Sequence, residues 1–198
     1  MKKYLLLLLA VPLMMACECE TRKFTEIATI NFDKTFNINQ AGPFDEKVTI
    51  THDEVLDEFD IPENATIKDV SIESMSAKVK VLEGNVATSI LVSGYLQLGS
   101  TKPDLFDDYP LVLSAVNAPW VGLNSLIAGG ISKIKTKIEA YLQNNDYEPF
   151  DMHVEGDTKP FEGQNVNVQL VIRITGSAKY EVCEEWPWFL EGGESCDI

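Results

Sequence analysis

Residues equipped for chemistry are few in this chain. It carries two histidines, His52 and His153, and four cysteines, Cys17, Cys19, Cys183 and Cys196. A zinc site draws its ligands from closely spaced His and Cys pairs, and neither histidine stands at such a spacing from the other or from a cysteine. Both read as ordinary surface or strand residues. Nucleophile-elbow, phosphate-cradling and dinucleotide-binding glycine patterns are missing from the sequence. Two acid-rich runs, Asp53, Glu54, Asp57, Glu58, Asp60 and Asp104, Asp107, Asp108, offer carboxylates for calcium or for glycoside hydrolysis. Neither run has the alternating acids around a glycine that make a calcium loop specific, so they read as a solvated helix face and a polar loop. The expectation is no catalytic residue, no metal and no cofactor.

Two other constellations carry more information. Cys183 and Cys196 enclose twelve residues, and in an oxidising compartment such a pair forms a disulfide in preference to a metal site. Closing a loop of that size contributes about 3 kcal/mol in the chain-entropy model. Trp120, Trp186, Trp188 and Phe189 are candidate binding aromatics, flat rings able to stack on sugar or insert into a partner when exposed. Buried, the same residues would plug one end of a sheet.

At the N-terminus Lys2 and Lys3 precede an almost wholly apolar run from Tyr4 to Met15, followed by Ala16 and Cys17. That order is a secretory signal, and the run falls short of the roughly twenty residues a membrane-crossing helix needs. Leu13, Met14, Met15, Ala16 and Cys17 resemble the lipobox of bacterial lipoproteins. Met14 and Met15 depart from its commonest residues. The resemblance implies cleavage after residue 16 and acylation of Cys17, which holds the protein durably at a membrane. Cys19 is then left odd. Glu18 and Glu20, just after the cysteine, resemble the acidic surface-export signals of Bacteroidetes-type lipoproteins, and a glutamate at position 18 in place of aspartate points to the outer membrane. The organisation expected is a signal peptide over 1–16, a lipidated tether over 17–23 and one β-rich domain over 24–198.

Removing sixteen residues from 198 leaves 182, and taking Lys2 and Lys3 with them moves the formal charge from −15 to −17. So acidic a chain, without a dense Lys/Arg cluster, repels nucleic acid. The partners expected are the membrane through the lipid, and an envelope protein or a glycan.

Strict alternation of apolar and polar residues dominates the remainder. Val166, Val168, Leu170, Ile172, Ile174, Ala178, Tyr180 and Val182 alternate with polar residues and predict one long strand with a wet face. A second run holds Val86, Ile90, Val92, Leu96 and Leu98, and a third Met75, Ala77, Val79 and Val81; Gly84 and Asn85 between them predict a hairpin. Further strands are expected over Phe24–Phe32, Thr35–Ile38, Val48–Ile50, Ile67–Ile72, Leu111–Val116 and Phe150–Val154. The parity of apolar residues flips between Ile72 and Met75, which predicts a bulge near Ser74. Gly94 and Gly176 mark places where strands can bend. Thr51 to Glu54 is a capping box ahead of a short helix ended by Pro62. Leu123, Ile127, Ile131, Ile134, Ile138, Tyr141 and Leu142 share one face of a long amphipathic helix, with Gly129 and Gly130 permitting a kink or a close contact.

The fold class expected is mainly β or α+β, an antiparallel sandwich-like or curved sheet with one long amphipathic helix packed on it. The function expected is a non-enzymatic binding or structural module of the cell envelope, lipid-anchored on the periplasmic side or at the surface. The alternatives are a carrier of lipid or another apolar ligand in a cavity between helix and sheet, and a hydrolase with an unrecognised site.

Overall fold

The computed structural model describes residues 19–113, 118–159, 162–187 and 194–196, without the side chains of residues 19, 20, 186 and 187. Cys17, Trp188 and Phe189 lie outside these residues. Strands β1 (Cys19–Ala41) and β8 (Asn165–Pro187) pair antiparallel from Cys19↔Pro187 to Ala41↔Asn165 with no slip of register. The period-2 pattern explains the length: Ile30, Phe32, Phe36 and Ile38 on β1 and the even residues Val166 to Val182 on β8 all point inward and are buried. The two strands expected over Phe24–Ile38 are therefore one. Residues 19–23, expected as a tether, are its first five, because each has a partner on the end of β8.

β3 (Thr66–Val81) lies along the other edge of β8, with register shifts between Ile67 and Asp69 and between Ile72 and Ser74. The second is the bulge expected near Ser74. Gly176 faces it, where a Cβ would come within 2.9 Å of the Ser71 carbonyl oxygen. Short strands β6 (Val121–Gly122) and β9 (Glu194–Ser195) complete a five-stranded sheet of order β6-β3-β8-β1-β9. The other sheet, of order β2-β7-β4-β5, holds β2 (Phe44–Ile50), β4 (Ser89–Gln97), β5 (Asp104–Val112) and β7 (Phe150–Lys159). The inner faces of both sheets contribute to one buried apolar cluster, a sandwich-like arrangement.

β3 and β4 do not form a hairpin, since they belong to different sheets. The connection is instead held to the start of β8: Asn167 and Asn165 donate side-chain N–H groups to the Glu83 and Gly84 carbonyls, and the Leu82 and Val86 amides donate to the carbonyls of Asn167 and Asn165. The turn thus crosses between layers. Asp104, Asp107 and Asp108 lie on β5 and not in a loop, because Leu105 and Phe106 beside them are buried.

Two short helices are present: the one expected after Thr51, and a fifteen-residue helix in place of the long one expected over Leu123–Leu142. α1 (His52–Phe59) has the capping box: Thr51 accepts from the Glu54 amide and Glu54 accepts from the Thr51 amide. Asp60 closes it in the left-handed region at φ 48°, ahead of Pro62. α2 (Ala128–Leu142) begins five residues later than the periodicity predicts. Upstream of it the backbone is drawn to both sheets, the Leu123 amide donating to Met75 and the Ile127 amide to Leu105. Gly130 then sits so close to β5 that a Cβ would lie 2.0 Å from the Asp104 carbonyl oxygen. No helix among the described residues is long and apolar enough to cross a membrane.

Candidate functional site

Because alternation sends the even residues of β1 and β8 into the core, the odd ones form the outer face of the five-stranded sheet. Small neutral polar side chains fill much of it: Asn31, Thr35, Asn37 and Asn39 on β1, Asn167, Gln169 and Thr175 on β8. They pair across the strands. Gln169 donates to Asn37 at 3.1 Å, and Thr175 to Asn31 at 2.9 Å. Between these two pairs Arg173 Nε and Nη2 donate to both carboxylate oxygens of Asp33, each at 2.7 Å. That fork-on-carboxylate geometry fixes the guanidinium plane, and the bond to Asp33 holds Arg173 more firmly protonated than a free arginine.

Trp120 lies on this fixed plane, with the guanidinium carbon 4.1 Å from its ring centroid and Lys78 Nζ at 5.9 Å. The segment leading into β6 brings it there: the Ala118 amide donates to Val79, and Val121 and Gly122 pair with Ala77 and Ser76 of β3. Arg173 stands opposite Ser76 in the register of β8 and β3, so the ring is carried over β3 onto the face of the sheet. It remains partly exposed. A cation against an indole face contributes about 0.5–1 kcal/mol at such a site. The arrangement offers a flat ring held against two cations, on a sheet face that also carries amides and hydroxyls.

Of the expected aromatics, Trp120 and Trp186 stand apart, while Trp188 and Phe189 lie outside the described residues. Trp186 is paired with Glu20 at the far end of β8, thirteen residues beyond Arg173 and about 40 Å along an extended strand. Cys183 and Cys196 come to disulfide distance at that end, 6.3 Å between Cα atoms, joining β8 to the tail that carries β9.

His153 is the strand residue expected, on β7, whereas His52 opens α1 and is buried. His52 is buried between Asp53 at 2.9 Å and Asn144 at 3.2 Å, with its ring edge-on to Tyr141. His153 stacks on Tyr95 with centroids 4.5 Å apart, and its Nδ1 lies 2.8 Å from Asp45 and 3.0 Å from the Tyr95 hydroxyl. Burial, then the neighbouring Asp45 charge, raises the Tyr95 phenol above its usual range. This trio sits on the outer face of the four-stranded sheet. It joins residues as much as 108 apart in sequence through the β2–β7 and β7–β4 pairings, which leaves no local motif to find. Among the described residues no three His, Cys, Asp or Glu side chains are grouped to hold a metal.

A groove of about 900 Å³ opens between the ends of α1 and α2 and the start of β3. Leu56, Ile61 and Leu142 line it together with Asp57, Asp60 and Asn144. The seam between α2 and the sheets is filled by Ile134, Ile138 and Tyr141, each 3% exposed or less. Beside that packing, a smaller groove of about 360 Å³ lies between α2 and the four-stranded sheet, lined by Leu98, Lys133, Lys137, Ala140 and Phe150.

No family model matches the chain, and no curated protein matches it. Among solved structures it is similar to a 60-mer BFDV capsid protein, at 9% identity and a TM-score of 0.31, over 87% of this chain and 99% of that one. It is also similar to a structure of infectious bursal disease virus Gx strain, at 13% identity and a TM-score of 0.27, over 84% of this chain and 38% of that one. Likenesses of this degree carry no inference about function.

Proposed function

We propose that the chain is an exported, non-enzymatic binding module of the cell envelope, tethered through an acylated Cys17 and engaging a glycan on the outer face of its five-stranded sheet. The observation that carries the glycan reading is Trp120, a partly exposed ring stacked on the Arg173–Asp33 pair. Flat rings suit the apolar faces of sugar rings, and the surrounding amide and hydroxyl side chains match sugar hydroxyls as donors and acceptors. The tether is supported by the order of charged, apolar and small residues ahead of Cys17. Because β1 starts at Cys19, an acyl chain on Cys17 would hold the sandwich within about 7 Å of the anchored residue, close to the bilayer and with little freedom to swing.

Two measurements test this. Mass spectrometry of the N-terminal peptide from the native host is expected to show acyl groups on Cys17, and an unmodified thiol there would remove the tether. On a glycan array the purified protein is expected to retain at least one polysaccharide, with Trp120→Ala reducing that binding about tenfold or more, the order of one stacking contact of ~1.4 kcal/mol. Retention unchanged by that substitution would move the site elsewhere.

A further inference from the structure

We propose that the platform under Trp120 is selective for an anionic glycan, with a sugar ring on the indole and its carboxylate or phosphate held by Lys78 and Lys80. This rests on the reading of that face as a glycan site and adds the class of ligand. From the Asp33–Arg173–Ser76 row to the Asn37–Gln169–Lys80 row, the face carries three cations, Arg173, Lys78 and Lys80, against one carboxylate, Asp33. Arg173 already occupies both oxygens of that carboxylate.

The two lysines are unlike most others in the molecule. Lys34 pairs with Glu54, Lys47 with Asp151, Lys68 with Glu181, Lys135 with Asp69 and Lys137 with Asp146, all at 2.9 Å or closer. Among the described residues neither Lys78 nor Lys80 has a carboxylate within ion-pair distance, although acids outnumber bases 31 to 16 in the chain. They stand two residues apart on the same face of β3, about 7 Å between their Cα atoms, a spacing suited to successive charges on an extended polymer. The repulsion expected from the acidic chain as a whole reaches only about 8 Å at physiological ionic strength, so the local cations decide what is attracted here. A bound anion would supply the counter-charge that no described carboxylate brings to Lys78 and Lys80.

The test uses the full chain and four soluble probes: polygalacturonate as a carboxylated glycan, phosphomannan as a phosphorylated one, dextran as a neutral one, and polyglutamate as a polyanion without sugar rings. Affinity electrophoresis is expected to show retention by one or both anionic glycans, at least tenfold stronger than by dextran or polyglutamate. Which of the two retains the protein identifies the acid group. The double change Lys78→Gln with Lys80→Gln is expected to weaken that retention about tenfold and leave thermal unfolding unchanged. Trp120→Ala is expected to weaken it comparably, and Trp120→Tyr to restore most of it. Equal retention by dextran, indifferent to the lysines, overturns the anionic class and leaves the platform standing. Equal retention by polyglutamate overturns the stacking contact. Retention by none of the probes overturns both.

Discussion

The two sheets solve the same problem by different means. The five-stranded sheet is organised around β1 and β8, twenty-three residues each and paired without a slip, so its outer face repeats a regular grid and side chains meet directly across strands. The four-stranded sheet is shorter and irregular, with register shifts at Gly94 and close approaches that only glycine allows. Its outer face carries Asp45, Asp151 and Glu155 around the stacked Tyr95 and His153, and Lys47 is paired to Asp151. One sheet is a platform where two lysines near a ring are left without carboxylate partners among the described residues, the other an acidic surface where Lys47 is paired to Asp151. A regular grid is what an extended ligand can read, whereas shape fixed by tight glycine contacts serves the core.

The same substitution made in both sheets sharpens this contrast most. At Gly156 a Cβ would lie 2.1 Å from the Leu91 carbonyl oxygen and 2.7 Å from Phe44 Cζ, so backbone must move. Gly156→Ala is expected to destabilise the fold by about 3 kcal/mol or more. At Gly176 the nearest atom is the Ser71 carbonyl oxygen at 2.9 Å, beside a bulge that already departs from regular pairing. Gly176→Ala is expected to cost about 1 kcal/mol. Equal losses in urea unfolding would mean that the sheets do not differ in the tightness of their fit.

Next in size is the brace at the end of the platform. Cys183 joins β8 to Cys196, and β9 lays Glu194 and Ser195 against Lys23 and Arg22 of β1. Cys183→Ser is expected to lower stability by about 2–3 kcal/mol, the loop-closure contribution for thirteen residues of separation. Thermal unfolding with and without reductant checks it: the wild-type transition should fall on reduction and the variant's should not. Glycan retention at Trp120, some ten residues up the strand, should survive the change, because the Arg173–Asp33 pair lies far from the brace.

Much of this architecture is legible in the residues. Alternation alone marks β8 and the buried positions of β1, the parity flip between Ile72 and Met75 locates the bulge at Ser74, and Thr51 with Glu54 announces α1. What alternation does not encode is the partner of each strand. The Gly84–Asn85 turn has hairpin chemistry, yet Asn165 and Asn167 of β8 claim its backbone and send β4 to the other sheet. The late start of α2 is equally non-local, set by the contact of Gly130 with Asp104 and not by the apolar period that runs through Leu123 and Ile127. At the candidate site the type of residue was readable at Trp120, but its setting was not, because Asp33, Lys78 and Arg173 are brought to one place only by the β1–β8–β3 pairing. The Asp45–His153–Tyr95 trio is hidden for the same reason.

The smallest effect expected separates the two faces by pH. On the four-stranded sheet Lys47 and Thr49 donate to Asp151 at 2.6 and 2.7 Å, and these hydrogen bonds, the lysine's first, hold its carboxyl below the usual range. A carboxylate whose folded pKa is depressed contributes stability that is complete above its unfolded value near 4 and is lost as pH falls through the folded value. Asp151→Asn is therefore expected to cost on the order of 1 kcal/mol at pH 7 and progressively less as pH falls below about 4 toward the lowered folded value. The comparison is Lys78→Gln on the five-stranded sheet. With no carboxylate partner to lose, its effect on stability should stay within about 0.5 kcal/mol at both pH values. Urea unfolding of the two variants at pH 7 and pH 2 reads the difference directly. A pH-independent loss for Asp151→Asn would show that the carboxylate's charge contributes nothing there and that its shape alone holds β2 to β7. A loss at pH 7 for Lys78→Gln would mean that the lysine beside Trp120 is spoken for by the fold itself and is not held in reserve for a ligand.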